Sequence, residues 1–323
     1  MRYRQLVGML ISVISALGYQ VATPVPGRTL SDPSASLLSR HAGLQDDRSP
    51  GIDLRGIPPP YVFARFCMLP WGELWKVAGE GEVVVDYMDG MEEITRPSDK
   101  TLNAIFVTTA GSAWAVGDSG TIVYSSDWGK NWQIQHSGTG ENLHSVICLD
   151  DRHCWAAGTH GVLVRSDDAG QTWALVSTKL KETLYALQFT STRIGWAVGE
   201  NGIVIHTEDG GETWSIIHLD KPMSPSNLKG GLTNWLAVKF YNPRVGWIAG
   251  YFWIATTEDG GAHWTCKHID NFAGIGVVSK DGSTVWAIDA GLGSPANRWS
   301  HDGGHTWSRF VPSQAIGSGS RSH

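Results

Sequence analysis

The chain has 323 residues, a net charge of −6, 41% apolar residues and 17% charged ones. That length suits one large all-β domain. The acidic balance gives no support to nucleic-acid binding, which needs a basic face.

Residues 1–18 have the marks of a signal peptide: Arg2 and Arg4, an apolar run from Leu6 to Ala16, and small residues for cleavage at Ala16-Leu17-Gly18. The run is short for a membrane span, and an uncleaved anchor is the alternative. Residues 19–60 hold seven of the 14 prolines and few apolar runs, so a disordered linker is expected there.

From residue 61 onward the chain is repetitive. Five eight-residue turns each close on tryptophan: 125–132, 166–173, 207–214, 257–264 and 300–307. The closing tryptophans are 41, 41, 50 and 43 residues apart. Upstream of each turn stands a second block, Trp114-Ala-Val-Gly117, Trp155-Ala-Ala-Gly158, Trp196-Ala-Val-Gly199, Trp247-Ile-Ala-Gly250 and Trp286-Ala-Ile-Asp289. A sixth block, Trp75-Lys-Val-Ala-Gly79, has no such turn. β-rich runs flank the blocks, giving four short strands per unit of about 40 residues, the arithmetic of a β-propeller blade. The expected blades are 61–97, 101–137, 142–179, 183–219, 232–270 and 272–311, within a propeller spanning 61–311 and followed by a tail at 312–323. Six blades are countable and seven are possible. Eleven of the 16 tryptophans occupy repeat positions, which suits burial between blades.

Each turn holds one aspartate: Asp127, Asp168, Asp209, Asp259 and Asp302. Its side chain is expected to close the turn on backbone N–H groups two residues on. The glycine two positions later supplies positive φ. Recurrence in every unit fits a structural turn better than a single active site. Cys148 and Cys154 flank a short turn at the ends of two pairing strands, close enough for a disulfide in an exported protein. Two buried thiols are the alternative. Cys67 and Cys266 show no spacing signal. His301 and His305 are four apart but lie in a turn, so no metal site follows and no cofactor is expected.

The turn is the Asp-box found in sialidases and related propellers. The whole unit, seen best at 195–214 (Gly-Trp-Ala-Val-Gly-Glu-Asn-Gly-Ile-Val-Ile-His-Thr-Glu-Asp-Gly-Gly-Glu-Thr-Trp), resembles the repeat of the photosystem II stability and assembly factor family. That resemblance covers 100–311 well and 61–97 weakly. Trp253 and Asp289 stand where its pattern has glycine, and six countable blades contrast with its usual seven. It implies an exported, non-enzymatic propeller that binds a protein, in photosynthetic members a reaction-centre subunit. The alternatives are a sialidase-like glycoside hydrolase and a surface or matrix adhesion domain.

Arg152, Arg193 and Arg244 each lie three residues before a block tryptophan, at one turn position in three consecutive blades. They form an arc on the Asp-box face, whereas the sialidase family's site is on the other face. The arc is a candidate for binding an acidic protein segment or a membrane-complex subunit; three solvated turn charges are the alternative. The insertion at 221–231 is a second candidate, expected on the opposite face. The protein is expected to be a monomer, peripheral to a membrane at most, in a periplasm, cell envelope or secreted fraction, or in a thylakoid lumen if the host is photosynthetic.

Overall fold

The structure, a computed structural model, describes residues 61–63, 66–69, 73–77, 79–87, 91–219, 234–250, 253–268, 272–277, 285–289 and 298–309. The segments expected to be a signal peptide (1–18), a linker (19–60), the 221–231 insertion and the tail (312–323) lie outside the described residues.

The described residues form six antiparallel sheets of a β-propeller. Sheet one contains β1 (Tyr61–Phe63), β2 (Phe66–Met68), β3 (Leu74–Val77), β4 (Val83–Asp86) and β5 (Glu92–Thr95). Sheet two contains β6 (Leu102–Val107), β7 (Ala113–Gly117), β8 (Thr121–Ser125) and β9 (Gln133–His136). Sheet three contains β10 (Leu143–Cys148), β11 (Cys154–Gly158), β12 (Leu163–Ser166) and β13 (Ala174–Val176). Sheet four contains β14 (Leu184–Phe189), β15 (Gly195–Gly199), β16 (Val204–Thr207) and β17 (Ser215–Ile216). Sheet five contains β18 (Trp235–Phe240), β19 (Gly246–Gly250), β20 (Trp253–Thr257) and β21 (Thr265–His268). Sheet six contains β22 (Phe272–Val277), β23 (Val285–Asp289), β24 (Arg298–Ser300) and β25 (Ser308–Arg309).

Sheet one departs from the expected four strands. Its block strand, β3, takes the place of β7, so β2 is the first strand of the repeat and β1 is an addition. β1 pairs with β2 as Phe63↔Phe66, with only Ala64 and Arg65 between them, and it lies against β6 and β22. The sequence before Phe66 has no tryptophan block, so repeat counting had no means of finding this strand.

The first strands of sheets two to six lie against one another in succession and form the inner wall. Packing explains why the block strands are apolar throughout. In β11, Cys154 and Ala156 face sheet two, whereas Trp155 and Ala157 face sheet four. A strand covered on both faces loses the usual polar–apolar alternation. The block tryptophans Trp75, Trp114, Trp155, Trp196 and Trp247 are fully buried between sheets.

Candidate functional site

Each Asp turn joins the third and fourth strands of its sheet. In sheet two, Ser125 Oγ accepts from the backbone N–H of Asp127 (3.3 Å) and of Gly129 (2.9 Å), and donates to Asp127 Oδ1 (2.8 Å). Asp127 Oδ1 in turn accepts from the backbone N–H of Asn131 at 2.9 Å. The other four aspartates accept from Thr172, Thr213, His263 and Thr306 at 2.7–2.9 Å. The expected two-residue bond therefore belongs to the hydroxyl, while the aspartate reaches four residues on. The backbone explains the longer reach. Two successive residues are left-handed in every turn: Trp128-Gly129, Ala169-Gly170, Gly210-Gly211, Gly260-Gly261 and Gly303-Gly304. This curl turns the following N–H groups back toward the carboxylate.

The hydrogen bonds hold the carboxyls ionised. Thr172 at Asp168, Thr213 at Asp209 and the His263 backbone at Asp259 hold these groups below the usual carboxylate range. At Asp127 and Asp302 burial pulls upward, but the bonds from Asn131 and Thr306 prevail and the pKa is again lowered.

The turns also lock neighbouring sheets together. Trp155 Nε1 donates to Gly210 O at 3.0 Å and Trp247 Nε1 to Gly303 O at 2.8 Å, each reaching from one sheet to the Asp turn of the next. Between sheets two and three a different contact stands in. Gln135 Nε2 donates to Ala169 O at 3.1 Å and Gln135 Oε1 accepts from Trp173 Nε1 at 3.1 Å.

The three arginines occupy turns between the first and second strands, on the face that carries the Asp turns. Each turn is built alike. Asp150 Oδ1, Ser191 Oγ and Asn242 Oδ1 accept from the backbone N–H of the arginine two residues on, at 2.8, 3.2 and 2.8 Å. Two of the side chains then lean on the Asp turn of their own sheet. Arg152 Nε donates to Asp167 O at 3.4 Å, and Arg193 Nε to Glu208 O at 3.2 Å. Arg244 accepts at its carbonyl from Gly260 N at 2.7 Å. All three remain exposed. Carboxylates interleave with this arc, and several are engaged: Asp167 with Arg165 (2.9 Å), Asp150 with His153 (2.8 Å) and Glu258 with His305 (3.0 Å). Cys148 and Cys154, joined by a disulfide with a Cα–Cα distance of 4.1 Å, close the hairpin that presents Arg152.

Sequence reading missed a second set of residues. The register of each inner strand shifts at its second residue in sheets two to six, at Asn103, His144, Tyr185, Leu236 and Ala273. Such bulges re-aim side chains and disrupt the ladder locally. They lie at the end of the inner wall away from the Asp turns. Asn103 Nδ2 donates to Asp118 Oδ1 (2.9 Å) and, across sheets, to Leu143 O (3.1 Å). The His144 and Tyr185 rings lie 5.9 Å apart. The residue types at this position share no chemistry, so no motif marked it. No group of three or more His, Cys, Asp or Glu suited to a metal occurs among the described residues.

The repeat that builds both faces matches the model of the photosynthesis system II assembly factor YCF48 at residues 65–167 and 137–230. The chain belongs to the YCF48 assembly factor family. YCF48 from Cyanidioschyzon merolae is 17% identical, over 67% of this chain and 76% of that one, with a TM-score of 0.51. A glycoside hydrolase of family GH74 from Niastella koreensis is 12% identical over 76% of this chain and 46% of that one, with a TM-score of 0.57. At these identities the likeness shows the shared propeller fold alone. A YCF48 solved with a D1 peptide matches at 15% identity over 66% of this chain and 81% of that one; its TM-score of 0.44 carries no argument here. No curated protein sequence matches the chain.

Proposed function

We propose that this YCF48-family propeller is an exported, non-enzymatic binding module that docks a protein during assembly of a membrane complex, a photosystem II subunit where the host is photosynthetic. Its docking surface is the arc of Arg152, Arg193 and Arg244, and the partner segment is acidic. The observation that carries this reading is the repeated mounting of the arc. Three consecutive sheets present arginine from the same capped turn, and in two the Nε is pinned to the residue before the turn aspartate. A pinned guanidinium has lost part of its freedom before binding, and its remaining N–H groups match the fork of a carboxylate. Repetition also gives the arc the shape of a track along the Asp-turn face.

The test is capture of the partner from the native membrane fraction by the triple variant Arg152→Gln, Arg193→Gln, Arg244→Gln. Binding through charge is expected to fall at least tenfold, rising salt to mimic the loss, and the melting temperature to move little. Undiminished capture at low salt would overturn the arc. A variant shortened within 221–231 serves as the parallel test of the loop: loss of capture there, with the arginine variant behaving as wild type, transfers the site to the loop.

A further inference from the structure

The turn position of the arginines recurs in sheet two, where it is filled differently. Gly111 lies three residues before Trp114, as Arg152, Arg193 and Arg244 lie before their own block tryptophans. Hydrogen bonds show the same equivalence. The carbonyls of Gly111, Arg152, Arg193 and Arg244 each accept from the first left-handed residue of the Asp turn in their own sheet. The donors are the backbone N–H groups of Trp128, Ala169, Gly210 and Gly260, at 3.0, 3.1, 2.8 and 2.7 Å. Sheet two therefore has an indole where the next three sheets have a guanidinium. A Cβ at Gly111 would run into Trp128 Cδ1, Nε1 and Cε2, so the ring lies directly on this glycine and buries it. The position also touches the next one along the arc. Thr108 Oγ1, in the turn of Gly111, donates at 3.5 Å to Oδ1 of Asp151, the neighbour of Arg152.

Trp128 is an unusual occupant of its place. Its φ is 63°, a left-handed value that bulky side chains rarely take. The equivalent residue is glycine in three Asp turns and alanine in the fourth. Residues held in such conformations cluster at binding sites. The indole packs against the core between sheets one and two, yet it stays partly exposed on the face that carries the arginines. A tryptophan backed by core at the end of a row of arginines has the composition of a binding hot spot. We infer that Trp128 is the apolar end of the arginine track and seats a large apolar side chain flanking the partner's acidic run. This rests on the docking surface proposed above and adds an apolar requirement to it.

The test titrates full-length protein labelled with fluorotryptophan, at low salt, with end-blocked hexaglutamate peptides. One carries phenylalanine at its N-terminal end, one at its C-terminal end, and the control carries alanine at both. Trp128→Gly identifies the Trp128 fluorine resonance and removes the seat; Trp128→Ala, matching Ala169, replaces it if the first variant fails to fold. One phenylalanine peptide is expected to bind about fivefold more tightly than the control and to shift the Trp128 resonance. The variant should lose that advantage and bind the control peptide as wild type does. Equal affinities in wild type, or an advantage that survives without Trp128, overturn the apolar seat and leave the arc standing. Binding of a phenylalanine peptide through Trp128 while the control fails to bind supports the seat and removes the arc. No binding of any peptide overturns both.

Discussion

Replacing Asp209 with alanine tests the view that the turn aspartates hold the fold. The change removes four contacts: Thr207 Oγ1 to Oδ1 at 2.7 Å, the Thr213 N–H shared between Oδ1 at 2.9 Å and Oδ2 at 3.1 Å, and Thr213 Oγ1 to Oδ2 at 2.5 Å. Hydrogen bonds to a charged group contribute about 1.5–3 kcal/mol each when dry. Thr213 is exposed, so water replaces part of what is lost, and the net cost is about 2 kcal/mol. For a domain of this size that lowers Tm by roughly 4–8 °C. Thermal unfolding followed by circular dichroism measures it. Acid supplies a second signature. The folded pKa of Asp209 is lowered, so its stabilisation is full above the unfolded value of about 3.9 and disappears as pH falls through the folded value. The gap between wild type and Asp209→Ala must therefore narrow below about pH 4. An unchanged Tm at neutral pH would refute the structural role, and unchanged stability with lost partner capture would make the aspartate a binding residue instead.

Three further perturbations bear on other parts of the fold. His206 stacks on Trp196 at 4.0 Å with its Nε2 buried and unbonded, and burial lowers its pKa. The unfolded chain then binds the proton more readily, so stability should decline as pH falls through about 6.5, and His206→Phe should flatten that slope in urea titrations at pH 7 and pH 5. Gly261→Ala would place a Cβ 2.2 Å from Trp196 Cη2 at φ +90°, costing about 3–4 kcal/mol in strain and overpacking, whereas Gly140→Ala meets nothing within 4 Å and should be neutral by the same assay. Reducing the Cys148–Cys154 bridge closes no long loop, so the loss should be about 2 kcal/mol, and non-reducing peptide mapping should recover the two cysteines as one linked fragment.

The sequence made the propeller and its family legible because both depend on residues that recur in register. A tryptophan block and an Asp turn repeated at a spacing near 40 leave few alternatives. The features that escaped are those that do not recur or leave no mark on residue type. β1 has no repeat partner. The bulge at the second inner-strand residue is filled by Asn103, His144, Tyr185, Leu236 and Ala273, five residue types with nothing in common, because backbone register and not chemistry creates it. The first left-handed residue of each Asp turn is glycine in three turns but Trp128 and Ala169 in the others, so composition hid a conformation that all five share. The arginines illustrate the opposite limit. Their spacing was plain, yet spacing could not show that the Nε of Arg152 and of Arg193 is tied to the Asp turn of its own sheet. That tie changes what the arginines can be. A free surface arginine is a mobile charge worth little to any partner. One held against a turn, whose aspartate is in turn held by its own loop, is aimed by the repeat that builds the fold. The same hydrogen-bonded turns that lock one sheet to the next therefore also set the direction of the charges offered to a partner, and loosening an Asp turn in sheet three or four should blunt the arc before it unfolds the propeller.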